Sequence, residues 1–164
     1  MHPQIESAFN EAENRYLHPE ELGVITQYVE SLPKRMQTYC TLRDKEMTIM
    51  QQVADQLVKT LPGETTEALE RSIKNALLVM RYCAMGMLLN NEAFVKEQLR
   101  TWMGQTMKAY HSETVDSALY ELLTQTLNQS LTPQQLSFFN PMLAAAQAEF
   151  LPQDQPLTAA ALGW

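Results

Sequence analysis

Residues 76–89 read Ala-Leu-Leu-Val-Met-Arg-Tyr-Cys-Ala-Met-Gly-Met-Leu-Leu. They form the second half of a helix expected over Thr66 to Leu89. Leu69, Ile73, Ala76, Leu77, Met80, Cys83, Ala84, Met87 and Leu88 recur at helical spacing. Leu78, Val79, Tyr82, Met85 and Leu89 make the remaining face apolar too. A helix that is apolar all round is expected to be buried on all sides. It is no membrane span, because a bilayer takes about 20 apolar residues. Arg81 also stands in its middle. A guanidinium keeps its proton, and burying it unpaired costs several kcal/mol. Arg81 must therefore meet a partner, reach solvent or touch another subunit.

The totals agree with a helical core. The chain has 164 residues, 45% apolar and 19% charged, which suits one globular domain with a sizeable interior. Five glycines and only scattered β-branched runs argue against a sheet protein. A net charge of −7 disfavours nucleic-acid binding, which wants a basic face. The acidic, polar start (residues 1–14) has no signal or transit character, so a cytoplasmic location is expected. Cys40 and Cys83 form no metal or redox motif and are expected to be free thiols.

Working outward, a short helix is expected over residues 3–13, with Ile5, Ala8, Phe9 and Ala12 on one stripe. Pro19 suits the first turn of a second helix, with Glu20 and Glu21 favourable there. Pro33 is expected to interrupt that helix, so residues 3–32 read as a helical hairpin. A long helix over about 34–60 places Met36, Tyr39, Cys40, Arg43, Met47, Met50, Val53, Ala54, Leu57, Val58 and Leu61 on one broad face. Pro62-Gly63 ends it, and Thr65 or Thr66 caps the next helix. Asn90-Asn91 closes that one, and Asn91 is placed to cap a helix over 92–109. Phe94, Val95, Leu99, Trp102, Met103 and Met107 point inward on it. Ser112 caps a helix to about 129, and Thr132-Pro133-Gln134-Gln135 combines a capping box with a first-turn proline. That last helix runs to about Phe150, and residues 151–164 read as a loose tail. The expected organisation is one domain over 1–164, with a helical core at 34–150.

Two segments resemble the phycobiliproteins, the bilin-carrying globin-fold family. Glu11-Ala-Glu-Asn-Arg15-Tyr16-Leu17-His18-Pro-Glu-Glu21-Leu22 is similar to the family's acidic-x-x-Gly-Arg-Tyr-Leu-Ser-x-x-Glu-Leu start. Arg71 to Asn91 is similar to its long bilin-bearing helix, with an arginine followed by an apolar run. The resemblance covers roughly residues 3–150. It implies an all-α, globin-like fold with an N-terminal two-helix extension. In that family the hairpin clasps a partner globin and its acidic residue meets the partner's helix arginine. The resemblance thus implies a homodimer with Glu11, Arg15, Tyr16 and Arg81 at the interface. Pairing of Arg81 within its own chain is the other reading.

The departures matter as much. Alignment on Arg81 puts the family's bilin-anchoring Cys-x-Arg-Asp on Ser72-Ile73-Lys74-Asn75. An unaided serine lacks the thiolate that forms the thioether. Lys74 lacks the flat fork that grips a propionate, and Asn75 lacks the charge that holds protonated pyrrole nitrogens. Ser72, Lys74 and Asn75 therefore mark a bilin-site equivalent without its anchor, and no covalent cofactor is expected. Cys83, deep in the apolar run, is no substitute. Haem would need an axial histidine facing a pocket. His2 lies in the N-terminal tail, His18 at a helix start and His111 past a helix end, so haem is not expected.

No catalytic triad, phosphate loop or HExxH is visible, so no enzyme is expected. Glu64, Glu67 and Glu70 read as a solvated face, and the ten methionines mostly as core. The resemblance is nearest to the branch without the bilin cysteine, the bilin biosynthesis-associated globins. It implies a non-enzymatic accessory or regulatory protein of haem-to-bilin metabolism in a cyanobacterium-like organism. A bilin-biosynthetic enzyme or a phycobilisome component would be its partner, with at most weak non-covalent tetrapyrrole contact and no membrane. A light-harvesting or structural phycobilisome subunit is one alternative. A sensor globin binding a ligand or partner protein is another.

Overall fold

The computed structural model describes residues 1–102 and 113–151. They form six helices: α1 (Pro3–Glu11), α2 (Pro19–Thr60), α3 (Thr66–Leu89), α4 (Glu92–Trp102), α5 (Glu113–Ser130) and α6 (Pro133–Phe150). No strand occurs among the described residues. Met103, Met107, His111, the Ser112 cap and the tail beyond Leu151 lie outside them, as does the Trp102 side chain.

The helix boundaries follow local chemistry. The Thr65 hydroxyl accepts from the Ala68 amide at 3.2 Å and starts α3. Asn90 ends α3 in the left-handed region, at φ 47°, which asparagine tolerates. Asn91 Oδ1 then accepts from the Phe94 amide at 3.0 Å and opens α4. Thr132 and Gln135 exchange reciprocal bonds of 3.0 and 3.3 Å at the start of α6.

Pro33 does not break the chain: α2 runs unbroken through it. The expected boundary between a hairpin and a core at residue 33 therefore falls inside one helix. The physical reason lies on both sides of the proline. Tyr28 Oη donates to Leu88 O at 2.7 Å, and Arg35 donates to Met87 O at 2.8 Å. Both pin α2 to the same end of α3. Pro33 and Val29, whose carbonyl loses its amide donor, are exposed, so water can serve that carbonyl.

The core is built by α2 to α6. Leu42, Ile49, Val53 and Leu57 of α2 meet Ala76, Val79, Cys83 and Met87 of α3. Leu119, Leu123 and Leu127 of α5 and Phe139 and Met142 of α6 close the cluster. Each buried Val, Leu, Ile, Phe or Met among them contributes about 1.5–3 kcal/mol by leaving water. Gly86 lets α3 approach its neighbours closely. A Cβ there would run into Val95 Cγ2 and meet Asn91 O at 3.2 Å and Met142 Sδ at 3.3 Å.

Two expected faces are corrected. On α2, Met50, Val53 and Leu57 are buried, but Met36, Cys40, Arg43, Met47 and Val58 are exposed. On α3, Leu77, Leu78, Tyr82 and Met85 are only half-buried, and Arg81 is exposed. The apolar composition of α3 exceeds what its neighbours cover. The methionines divide accordingly: Met50, Met80, Met87 and Met142 are core, while Met36 and Met47 face solvent. Glu64, Glu67 and Glu70 are exposed as expected.

Candidate functional site

The Ser72–Asn75 turn sits near the start of α3. Ser72 is buried at 9% exposure, Lys74 is exposed and Asn75 half-buried. The position expected to match the family's anchor thus carries a poorly accessible hydroxyl. Neither thiol replaces it. Cys83 is fully buried and its Sγ–H points at Met142 O, 3.5 Å away. Burial pushes that thiol far above its usual range, which silences it as a nucleophile. Cys40 is exposed, but on α2. These residues do not fit a thioether-linked bilin.

Arg81 has a partner inside its own chain. Its Nε and Nη2 donate to the two carboxylate oxygens of Glu46 at 2.7 and 2.9 Å. This is the two-pronged geometry that suits a guanidinium and a carboxylate. The pair holds the Glu46 carboxyl below its usual range. Between α2 and α3, beside this pair, lies a groove of about 310 Å³. Leu42, Met80, Ala84 and Met85 give it an apolar floor, and Tyr39 and Arg43 line it too. Glu46 carried no local signal that could have singled it out: it lies 35 positions from Arg81 and on another helix.

The other expected interface residues lie at the α1–α2 corner. Glu11 accepts from Ser7 Oγ at 3.0 Å. Arg15 donates to both oxygens of Glu21 at 2.9 and 2.8 Å and to Tyr16 O at 2.9 Å. Glu21 also accepts from the His18 amide at 2.6 Å. Together these pull its carboxyl down to about 2, with Arg15 the larger cause. The corner is therefore held in shape by charge. It presents Tyr16 at 97% exposure. Within one chain Glu11 and Arg81 do not meet, since each pairs elsewhere. Along the outer face of α2, Leu22, Val29, Met36, Met47 and Val58 are exposed. Met36, Met47 and Val58 repeat every eleven residues, which returns to one side of an α-helix.

The end of α3 carries a feature that periodicity missed. Arg35 is buried at 8% exposure. Its Nη1 donates to Met87 O at 2.8 Å and its Nε to Ser31 Oγ at 2.9 Å. Its guanidinium carbon lies 4.6 Å from the Phe138 ring centroid, a cation–π contact. Among the described residues no carboxylate forms a salt bridge with it. The negative end of α3 and the aromatic face supply the counter-charge, while burial lowers its proton affinity. His18, at the start of α2, is exposed, whereas His2 is buried, not loose in a tail.

Among the described residues no group of three or more His, Cys, Asp or Glu side chains could hold a metal ion. Among them, too, no helix is long and apolar enough to cross a membrane.

These elements define an all-helical protein of globin-like, phycobiliprotein type, with an extended N-terminal arm and a half-covered central helix. The phycobilisome protein family matches residues 8–149, and the chain belongs to that family. Its role is accordingly phycobiliprotein-related. Among curated proteins, none matches the chain.

Proposed function

We propose that the protein is a non-enzymatic accessory or regulatory globin of bilin biosynthesis that carries no covalent bilin. One observation carries the reading: a buried serine, Ser72, with Lys74 and Asn75, occupies the positions where the phycobiliprotein resemblance expects the anchoring Cys-x-Arg-Asp. A scaffold that keeps the pigment-binding architecture without its covalent chemistry suits work beside pigment synthesis. The decisive test is co-expression with a haem-to-bilin pathway, followed by a denaturing gel under zinc fluorescence. A dark band is expected; a fluorescent band overturns the reading.

The same proposal includes a cytoplasmic homodimer formed through the N-terminal arm. Three observations support it: the fully exposed Tyr16, the apolar groove beside Arg81, and the exposed apolar stripe of α2. An aromatic anchor from one copy would fill the other's groove, and Glu11 would compete with Glu46 for Arg81. Glu11→Ala is expected to weaken the dimer about three- to tenfold, the loss of two symmetry-related charged contacts. Sedimentation equilibrium reads this; an unchanged dimer counts against the arrangement.

A second reading is a structural phycobilisome subunit, favoured by the family match over residues 8–149. It differs in partner. Affinity capture on the tagged protein would recover antenna subunits, whereas the main reading expects a bilin-forming enzyme.

A further inference from the structure

His2 is only 6% exposed although it precedes the first helix. Its imidazole is wedged at the junction of α1, α2 and the α3–α4 turn. Asn90 Nδ2 lies 3.0 Å from His2 Nε2. With Asn90 presenting its amide nitrogen, Nε2 is the acceptor and the ring proton falls to Nδ1, which is buried with no hydrogen-bond partner among the described residues. The ring stands edge-on to Tyr28, with centroids 4.9 Å apart. The left-handed turn at Asn90 projects that side chain past the end of α3. Asn91 Nδ2 reinforces the junction by donating to Met1 O at 3.0 Å. The His2 carbonyl accepts from the Ile5 and Glu6 amides at 3.0 Å each, so the same residue starts α1. Otherwise α1 buries only Ile5 and Ala8. Its attachment rests on these two side chains, the His2 ring and the Asn91–Met1 bond.

The charges facing His2 are one-sided. On its own segment there is the Met1 amino group. From α2 come Arg35 and the Tyr28 hydroxyl, and from the α3–α4 turn come the neutral amides of Asn90 and Asn91. Among the described residues no carboxylate pairs with it. The nearby Met87 and Leu88 carbonyls already accept from Arg35 and Tyr28.

We infer that His2 is a proton-operated latch on α1: neutral, it accepts from Asn90 and holds α1 against the end of α3; protonated, it loses that acceptor, places a second cation near Arg35 and releases α1. The inference does not depend on the function proposed above. Burial first, and Arg35 second, already hold the imidazole below its ordinary value of 6.5. The sign follows. A depressed folded-state value means the latch is fully closed above about 6.5 and opens as pH falls through the lower folded-state value. Between 6.5 and that lower value the open fraction rises about tenfold per pH unit, and below it levels off. Glu11 ends α1, and Arg15 and Tyr16 follow it, so opening would also disorganise that corner.

Hydrogen exchange on the full chain tests this, comparing residues 3–11 with the α3 core between about pH 8 and about pH 5, after correction for intrinsic exchange. In wild type the α1 amides are expected to lose protection on acidification while α3 keeps its own. His2→Gln keeps an acceptor for Asn90 but cannot charge, so the acid response of α1 should vanish. Asn90→Asp sets a carboxylate opposite the ring, so acidification should tighten α1. The latch is overturned if wild-type α1 protection is flat across this range, if His2→Gln retains the same response, or if Asn90→Asp leaves its direction unchanged.

Discussion

Two arginines join α2 to α3, one reaching in each direction, and they reverse the usual expectation. Arg35 of α2 is buried and has no carboxylate partner; Arg81 of α3 has 56% side-chain exposure and grips both oxygens of Glu46. The buried one is met by the terminal carbonyl of Met87 and the Phe138 ring. A helix end and an aromatic face can therefore hold a cation that no acid neutralises. The exposed pair is screened by water and worth little to stability. The difference teaches that Arg35 is the structural fastener between the two helices. Arg81 is the adjustable one, available to change partners.

The sharpest way to break this contrast is Arg35→Ala. It leaves the Met87 carbonyl with only the Asn90 amide, 3.1 Å away, and empties space beside Phe138, so a loss of about 1–3 kcal/mol is expected in urea unfolding. A loss under 1 kcal/mol would put the fastener elsewhere. Next comes Gly86→Ala, one residue before Met87. The added methyl collides with Val95 Cγ2, at a cost of about 1–3 kcal/mol against about 1 kcal/mol gained in helix propensity. Thermal unfolding should show a net loss, and a gain would mean that α4 gives way freely. Smallest is Glu46→Gln, expected to change stability by less than about 1 kcal/mol and to lose even that in high salt. Its pH dependence has a definite sign. Arg81 lowers the Glu46 carboxyl from its ordinary 4.5, so the pair's contribution is present above that value and lost as pH falls through the folded-state value. In Glu46→Gln, carboxyl titration by NMR should lose one low-lying group. The Glu21 carboxyl, held at about 2 by Arg15, should remain in both proteins.

Much of the helical frame was legible because its signals are local. Thr65, Asn90-Asn91 and Thr132–Gln135 act within one turn of the helices they begin or end. Pro33 misled because its local penalty is overridden by Tyr28 and Arg35, whose anchors lie 60 and 52 positions away. Arg35 itself gave no sign, because its acceptors are a backbone carbonyl, a serine hydroxyl and a ring face, none of which advertises a cation in sequence. At the candidate site, the chemistry of Ser72, Lys74 and Asn75 was readable directly, since it lies in the side chains themselves. The partner of Arg81 was not, since every acidic residue on the neighbouring helices was an equal candidate until packing chose Glu46. His2 looked like tail for a similar reason: the cavity that takes it is made by residues about 25 and 90 positions further on.

The uninterrupted α2 has a further consequence for how the molecule moves through solution. Its 42 residues make a rod with a contour of about 63 Å at 1.5 Å per residue. A compact sphere of this chain length is only on the order of 40 Å across. Kept straight through Pro33, the helix outruns such a globule, so a single copy should tumble anisotropically and elute from a sizing column ahead of its mass. A small-angle scattering profile would show a maximum dimension set by the rod, not by the core around α3.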